Sequence, residues 1–457
     1  MSLSRLRRGS AVAFCTSVSA AFAAAAIRAN AVAVTTRSPR RHVVVVLIFL
    51  GAVIAYTDRV NISVAAVAMR EHFGWSQTEK GFVLAAFFVG YLSFMFVAGL
   101  LANRFGGKRV IGYSVLAWSI FTLLTPAAAT FSIAVLIAAR IGMGVGEAGM
   151  YPGTYDLFGR WVPPTERGRA VALMMSGTPA GTLIGLMGSG WLVQRFGWAM
   201  PFYVFGAIGL VWLILWAQQI KNDPATDPRV GAAERELLKA TAPMSNDMGH
   251  MPLRRLLLRA PVAGIVAGHV AFTWSLYVLL SWMPSYFRDV QGLSIASSGL
   301  FSAAPWLTMF ATGNLAGLVA DNMIRHGVSV TTTRKLMQCG ALIVSASLLL
   351  ALHEAHSPTA ALILFCGAAG ALACTSAGHM PIYLDVAPRG CAVLWAFGNS
   401  FATIPGIVGV AITGRLVDVT GTYSAAFVLT AIVSAIGALA FGALADARPI
   451  VERGAAS

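Results

Sequence analysis

Four ionisable side chains lie in stretches of the sequence that are otherwise apolar: Asp58, Arg59, Arg140 and Glu147. A charge at the centre of a membrane costs about 2.5 to 3.5 kcal/mol on insertion scales, so such residues usually face a water-filled cavity and pair there. A guanidinium offers a planar fork of permanent donors, which suits a carboxylate or a phosphate. A partly desolvated carboxyl group can bind and release a proton near neutral pH. These residue types together predict an anion clamp with a proton switch.

Spacing places two of these groups on one face of a helix. Arg140 and Glu147 are seven residues apart, which is about two turns and roughly 10 Å along the axis. They can therefore serve one cavity at two depths. An alternative stays open, in which Asp58 or Glu147 neutralises Arg59 or Arg140 and the ion pairs only hold helices together. Both interpretations hold at once if the substrate breaks such a pair.

Neutral side chains complete the candidate site. Asn399 could hydrogen-bond to a substrate, or it could bond only to another helix. Tyr91 and Tyr151 are the aromatic residues that we expect at the cavity, since Trp and Tyr near helix ends more often belong to interfacial belts. His269 and His379 could relay protons, but a lone membrane histidine more often forms a contact between helices.

The elements that must position these residues are membrane-spanning helices. The chain has 457 residues, of which 57% are hydrophobic and 11% charged, a balance that a water-soluble globule could hardly reach. Apolar runs of about 20 residues, each able to cross ~30 Å of hydrocarbon, recur along the chain. The predicted spans are 43–64, 81–101, 109–128, 132–152, 170–192, 200–220, 260–284, 297–320, 335–353, 358–381, 391–413 and 424–446. The fold class is therefore an all-α integral membrane protein with twelve transmembrane helices in two pseudo-symmetric six-helix bundles.

Positive charge is distributed unevenly among the connections between these runs. One set of connections carries most of the Lys and Arg residues. The opposite set carries only Arg70, Lys80, Arg195, Arg288 and Arg415. By the positive-inside rule, both termini and the central polar segment lie on the cytosolic or equivalent side. The net charge of +15 thus reports topology, and no nucleic-acid partner is expected.

A short internal repeat indicates two similar halves. The sequence GLLAN at residues 99–103 recurs as GLVAD at residues 317–321. Such repeats are typical of transporters whose site lies between two halves that rock. The expected organisation is an N-terminal bundle at 43–220, a solvated cytosolic linker with one short helix at 221–259, a C-terminal bundle at 260–446 and a tail at 447–457.

Residues 1–42 are basic and contain no acidic side chain. This composition resembles an organelle transit sequence, and a disordered basic tail or a misassigned start codon explains it equally well.

Other kinds of chemistry find little support. The five cysteines have neither CxxC nor metal-ligand spacing, so we expect no disulfide and no metal site. Without a nucleotide loop or a nucleophile elbow, an enzyme is the least favoured class, and no cofactor is expected. Glycines spaced three and four residues apart in the fourth and fifth spans predict close helix packing.

Several longer motifs resemble one family. They are DRVN from Asp58, residues 99–109, residues 140–169, SWMPSYF from Ser281, SGLFSAAPWLTM from Ser298, ADNMIRHGVSVTTTRKLMQ from Ala320, LDVAPR from Leu384 and NSFATIPGIVG from Asn399. On these motifs, residues 39–446 resemble the major facilitator superfamily. Within it, they are similar to the anion carriers that include vesicular glutamate transporters, sialin, sodium-phosphate cotransporters and plant plastidial anion transporters. The motifs of the second half are most similar to the plant branch.

The resemblance implies roles for the buried charges. Arg59 and Arg140 would contact the substrate, and Asp58 and Glu147 would couple its movement to an ion. These roles agree with the argument from membrane-buried charge, which does not depend on the resemblance.

The resemblance also implies that the loops after the second and eighth spans gate the cytosolic side, through Arg104, Arg109 and Asp321. This chain has neutral Asn103 where the superfamily usually carries aspartate, whereas Asp321 keeps the carboxylate. The latch between the halves is therefore expected to be weaker on one side.

The leading hypothesis is a monomeric secondary active transporter in the bilayer, which moves an organic anion (a carboxylate or sugar acid) or inorganic phosphate by alternating access, coupled to H⁺ or Na⁺. One alternative is an exporter of drugs or other non-anionic solutes, for which cavity carboxylates without arginines would be expected. Another is a non-transporting receptor or scaffold, since fold alone does not fix function. The plant-like motifs and the basic first residues favour the plastid envelope, with the plasma membrane as the alternative.

Overall fold

The computed structural model describes residues 39–163, 166–239, 259–387 and 391–448. Within these ranges the regular secondary structure is entirely helical. Helices form here because a backbone in lipid must satisfy its own N–H and C=O groups, and a helix does so within one segment. The predicted transit-like segment and the C-terminal tail lie largely outside the described residues.

The first half of the chain makes six helical passages. Its helices are α1 (Arg40–Phe73), α2 (Gln77–Phe105), α3 (Gly107–Phe131), α4 (Ile133–Glu147), α5 (Met150–Trp161), α6 (Arg167–Phe196) and α7 (Met200–Gln219). A turn at residues 148–149 separates α4 from α5, which together form one passage.

A short helix, α8 (Ala232–Lys239), lies in the linker, and the second half again makes six passages. Its helices are α9 (Ala260–Asp289), α10 (Ile295–Arg325), α11 (Val330–Lys335), α12 (Ala341–Ala351), α13 (Pro358–Ala373), α14 (His379–Val386), α15 (Cys391–Thr420) and α16 (Ser424–Leu444). A π turn at Leu336–Gly340 joins α11 to α12, and a 3₁₀ turn at Cys374–Ala377 joins α13 to α14.

The predicted all-α membrane fold is confirmed. Eleven passages among the described residues are long and apolar enough to cross a membrane, and α10 adds a further helix of 31 residues. Six passages per half bring Arg40, the linker and Leu444 to one side of the molecule. We call this the linker side and the opposite one the far side.

Several helices are longer than hydropathy predicted. The first predicted span ends at residue 64, but α1 continues to Phe73 and stops at Gly74, whose φ of 71° ends the helix. The eleventh ends at Thr420 instead of residue 413, before Gly421 with φ 68°. Hydropathy marks only the apolar part of a helix, whereas a left-handed glycine marks its end.

The second helix, α2, begins at Gln77, before the predicted start at residue 81. The assignment of Lys80 to a connection is therefore wrong. Lys80 lies in the first turn of α2 and is fully buried.

Glycines let the helices of the first half approach closely. A Cβ atom on Gly90 of α2 would lie 1.9 Å from the Ile141 carbonyl oxygen, and one on Gly144 of α4 would lie 2.0 Å from that of Phe87. A Cβ on Gly181 of α6 would meet the Val53 oxygen of α1 at 2.3 Å. The packing role predicted for the spaced glycines of the fourth and fifth spans is confirmed at Gly181, whereas Gly90 and Gly144 were not among those predicted. The α2–α4 crossing brings Phe87 against α4.

The linker packs against the first half. Glu234 of α8 accepts the backbone N–H groups of Arg40 and Arg41, both at 3.0 Å, and so caps the start of α1. The expectation of a fully solvated linker is wrong at Asp227, whose side chain is buried. Burial alone would raise the Asp227 pKa, but hydrogen bonds from Arg229 outweigh it and hold the pKa below its ordinary value. Arginine replaces water as the partner of this carboxylate.

Candidate functional site

Arg59 lies within α1 among aromatic rings and is only 6% exposed. Its Cζ lies 4.6, 4.7 and 5.1 Å from the ring centroids of Tyr56, Phe87 and Tyr91. Ring faces attract a guanidinium electrostatically, more strongly where water is excluded. The rings hold the flat faces of Arg59 and leave the N–H groups at its edge to bind other partners.

The edge of Arg59 pairs with Glu147. Arg59 Nη2 donates to Glu147 Oε1, which joins α1 to the last residue of α4. Both side chains are buried, and Glu147 Oε2 has no hydrogen-bond partner among the described residues. Of the pairings that the sequence left open, the structure therefore contains this one. Oε2 of Glu147 therefore remains free to bind a proton or to accept a hydrogen bond from another donor.

Arg140 is buried, and no carboxylate of the described residues pairs with it. It is 1% exposed, and its Nη1 lies 2.9 Å from the thioether sulfur of Met143. Its Cζ is 5.6 Å from the Phe87 ring, and its Nε has no hydrogen-bond partner in the described part of the chain. A thioether is a weak acceptor. Arg140 is consequently a membrane-buried cation whose donors are largely unused.

Asp58 does not pair with its neighbour Arg59, because consecutive helical residues point about 100° apart. Its carboxylate is fully buried, and neither oxygen makes a hydrogen bond within the described ranges. The Trp118 indole lies beside it, outside hydrogen-bond geometry, and the charges of Glu147 and Arg140 act on it. Asp58 therefore belongs to the same charge cluster as Glu147 and Arg140.

The two arginines meet at one cavity between the halves, which we call the arginine cavity. Arg59 of α1, Arg140 of α4 and Phe87 of α2 line it from the first half, and Leu280 and Ser281 of α9 line it from the second. Its volume is about 10 Å³, which is room for about one water molecule. Both guanidinium groups are thus shielded from solvent in this conformation.

The other predicted site residues lie at different distances from this cavity. Tyr91 is buried against Arg59, as described above. Tyr151 is half-buried near the start of α5. Asn399 of α15 is half-buried, and its amide nitrogen lies 3.6 Å from the sulfur of Met95 on α2. That contact crosses between the halves, away from the residues that line the arginine cavity.

Sequence reasoning missed Phe87 at the centre of the site. Phe87 contacts both arginines, yet it is one of 25 phenylalanines, and nothing in its neighbourhood distinguishes it. Its position four residues before Tyr91 was the available signal, since residues at i and i+4 share a helix face.

The histidines form the interhelical contact that the sequence favoured. The rings of His269 and His379 lie 4.6 Å apart. His269 Nδ1 lies 3.1 Å from the Tyr383 hydroxyl, and His379 Nδ1 lies 3.0 Å from Gln338 Oε1. This cluster lies inside the second half and joins α9, α14 and the π turn.

The loop residues proposed as a gate do not hold the halves together. Arg104, Arg109 and Asp321 are exposed, and a Cβ on Gly99 or Gly317 would find no heavy atom within 4 Å. The predicted latch is therefore not formed in this conformation.

The halves are joined on the far side instead. Arg70 pairs with Asp289 at 3.0 Å and Glu71 with Arg288 at 3.0 Å; both pairs link α1 to the end of α9. Asp418 of α15 accepts the backbone N–H of Gln77 at 2.9 Å, and so caps α2 from the other half. The structure has its far side closed.

Comparison with known proteins decides the family. The sequence model of the family described as the Major Facilitator Superfamily matches residues 48–392 of this chain. The chain belongs to this superfamily. Its relatives include the Sodium-dependent phosphate transport protein 1, chloroplastic, of Arabidopsis thaliana, 34% identical over 91% of this chain and 81% of the relative. The Ascorbate transporter, chloroplastic, of the same plant is 32% identical over 91% of this chain and 76% of the relative. The predicted membership of the anion-transporter branch is confirmed.

Solved structures of superfamily members share the fold. An inward-facing, occupied bacterial homologue of the human lysosomal transporter Spinster superposes with a TM-score of 0.71 at 17% identity, over 88% of this chain and 96% of that chain. A D-xylose-proton symporter superposes with a TM-score of 0.68 at 16% identity, over 89% of this chain and 99% of that chain. The family and the transporter relatives identify the protein as a multi-pass membrane transporter and not an enzyme.

Glu147→Gln should lower the melting temperature of the purified transporter, whereas Asp58→Asn should not. The first change leaves Arg59 buried without its counter-charge, and breaking a buried pair from one side costs about 3 to 5 kcal/mol. The second removes a carboxylate that has no hydrogen bond. Thermal unfolding in detergent measures both, and Arg59→Gln combined with Glu147→Gln should recover part of the loss. Equal shifts for the two single variants would show that the pair does not hold α1 to α4.

Proposed function

We propose that the protein is a secondary active transporter that carries a small organic anion or inorganic phosphate across its membrane by alternating access. Arg140 is the observation that carries this proposal, because its guanidinium is buried beside a cavity that both halves line and pairs with no carboxylate of the described residues. A buried membrane cation with unused donors suits an anionic ligand. The relatives named as phosphate and ascorbate transporters support the same substrate class.

The geometry suggests how an anion is held. Arg140 presents a fork of donors that matches a carboxylate or a phosphate in a two-point contact. Arg59 joins it when Glu147 releases the guanidinium, because Tyr56, Phe87 and Tyr91 keep that group in place through its faces. The anion then replaces Glu147 as the counter-charge. Rocking of the halves carries the loaded site from one side of the membrane to the other.

We propose H⁺ as the coupling ion and Glu147 as its binding site. Protonation removes the charge that holds Arg59, so a proton and an anion bind together more favourably than either does alone. Asp58 is the second candidate, since it is buried near Glu147 and Arg140.

The alternatives fit the site less well. A carrier of cationic or neutral drugs has no use for two buried arginines, one of which forms no direct ion pair with a carboxylate of the described residues. A receptor or scaffold would not need two buried arginines at a cavity that both halves line.

Arg140→Ala should abolish anion uptake, and Arg140→Lys should reduce it at least about tenfold, because an ammonium keeps the charge but loses the two-point fork. The assay is uptake of labelled phosphate, glutamate or ascorbate into proteoliposomes with an imposed proton gradient. Arg195→Ala removes an exposed arginine at the end of α6 and should leave uptake unchanged. Liposomes that each contain one copy of the protein should take up the anion at the same rate per chain as liposomes with several copies. The reason is that one chain supplies every site residue. If Arg140→Ala takes up the anion at the wild-type rate, the arginine cavity is not the binding site of the transported anion.

Glu147→Gln should separate exchange from coupled uptake. The amide resembles a permanently protonated Glu147, so labelled anion should still exchange with unlabelled anion across the membrane. Net accumulation driven by a proton gradient should be lost, and the exchange rate should become independent of pH. If the variant still accumulates anion in response to an imposed pH gradient, Glu147 is not the coupling site. The same assay on Asp58→Asn then tests the second candidate.

We propose the plastid envelope as the membrane, with the plasma membrane as the alternative. The chloroplastic relatives and the basic residues 1–42 support this placement. A fluorescent protein fused behind residues 1–42 should enter plastids when expressed in plant cells. Diffuse cytosolic fluorescence would contradict a transit role for this segment.

A further inference from the structure

Lys80 is a third buried cation, and it lies outside the arginine cavity. Its side chain is fully buried in the first turn of α2, on the far side. Lys80 Nζ donates to Ser285 Oγ at 2.8 Å and lies 4.5 Å from the centre of the Trp282 ring. Both partners belong to α9, so the contact crosses between the halves. Lys80 is therefore buried only while the far side is closed.

Lys80 lies in line with the arginine cavity. On α2, Lys80, Leu84 and Phe87 follow one another at spacings of four and three residues, which places them on one face, and the last two line the cavity. On α9, Ser281 lines the cavity and Ser285, one turn further toward the far side, holds Lys80. About one helical turn, or ~6 Å, thus separates Lys80 from the cavity.

The carboxylates near Lys80 are occupied by other donors. Asp289 and Asp418 act on the ammonium electrostatically. Asp289 accepts from Arg70 at 3.0 Å and from the Gln77 side chain at 2.9 Å, and Asp418 accepts from the start of α2. Among the ion pairs of the described residues, none includes Lys80. The ammonium rests on a hydroxyl and a ring, which are partners that an anion could replace.

We propose that Lys80 is a relay site for the transported anion on the far side of the membrane. When the halves separate there, Ser285 and Trp282 move away with α9, and the ammonium remains on α2 at the mouth of the cavity. It then receives a carboxylate or phosphate and passes it one turn inward to Arg59 and Arg140. When the far side closes, Ser285 replaces the anion and prevents its retention. This inference rests on the proposed anion transport.

A purely structural role makes a different prediction. If Lys80 only locked the closed far side, its removal would open that side more often, whatever the anion concentration. If Lys80 receives the anion, its removal weakens capture from dilute solution, whereas saturated transport is nearly preserved. The dependence of the transport rate on anion concentration therefore separates the two roles.

Lys80→Gln should reduce far-side uptake of labelled phosphate about tenfold at low phosphate, as expected for the loss of one charge-assisted hydrogen bond. At saturating phosphate the rate should change less than about twofold, and Lys80→Arg should restore low-phosphate uptake. Arg195→Gln removes an exposed far-side charge and controls for general electrostatic attraction. A change only in the saturated rate, or the same defect in Arg195→Gln, would overturn the relay.

Cysteine chemistry gives a second, independent test. In a variant with the five native cysteines replaced by serine, Lys80→Cys should react from the far side with aminoethyl methanethiosulfonate. This reagent restores an ammonium and should restore uptake, whereas the neutral methyl reagent should not. Gln77 is buried in the same far-side contact. The rate at which Gln77→Cys reacts therefore measures how often the far side opens, without any contribution from anion binding at Lys80.

Phosphate should slow modification at position 80 more than at position 77, and equal protection at both would overturn the inference. If the wild type carries no phosphate, glutamate or ascorbate, the proposed function itself fails. If it carries one of them and the Lys80 variants behave as the wild type, only the relay fails.

Discussion

The cost of burying charge in a membrane is the constraint on which the rest of the structure depends. Arg59 is stable in α1 because three rings cover its faces and Glu147 neutralises its edge. That pair requires α1 and α4 to be close, and the α2–α4 crossing at Gly90 and Gly144 brings the ring of Phe87 to the same place. The close crossing of α2 and α4 thus brings a ring and a carboxylate to the same buried guanidinium.

Helix ends supply the joints that a rocking transporter must make and break. Asp418 caps α2 from the opposite half, in the way that Glu234 of the linker caps α1 within the first half. The first N–H groups of a helix have no partner within the helix, so a carboxylate satisfies them without disturbing the helix interior. When such a joint opens, water replaces the carboxylate at the helix end. The capped helix ends can therefore part without leaving unpaired N–H groups, whereas the apolar cluster of Val64, Leu186 and Trp306 must be exposed when the halves separate.

The sequence predicted the parts of the site that have a one-dimensional signal. Arg59, Arg140 and Glu147 were found because a charge in an apolar run is rare, and the twelve passages were found from hydropathy. The choice of Glu147 over Asp58 as the partner of Arg59 depends on helix rotation and crossing. Phe87 was missed because an apolar residue in an apolar run carries no signal. Lys80 was assigned to a loop because hydropathy cannot tell a buried helix end from an exposed one.

The two halves share a scaffold but not their chemistry. Asp58, Arg59, Arg140 and Glu147 all belong to the first half, whereas the second contributes Leu280 and Ser281 to the arginine cavity. The buried histidines of the second half bond within that half, to Tyr383 and Gln338. An anion held by the two arginines would therefore stay with the first half throughout the cycle. The second half then mainly covers and uncovers the site as it moves, so it needs little difference in substrate affinity between conformations. Coupling to the ion depends on the charge cluster of the first half.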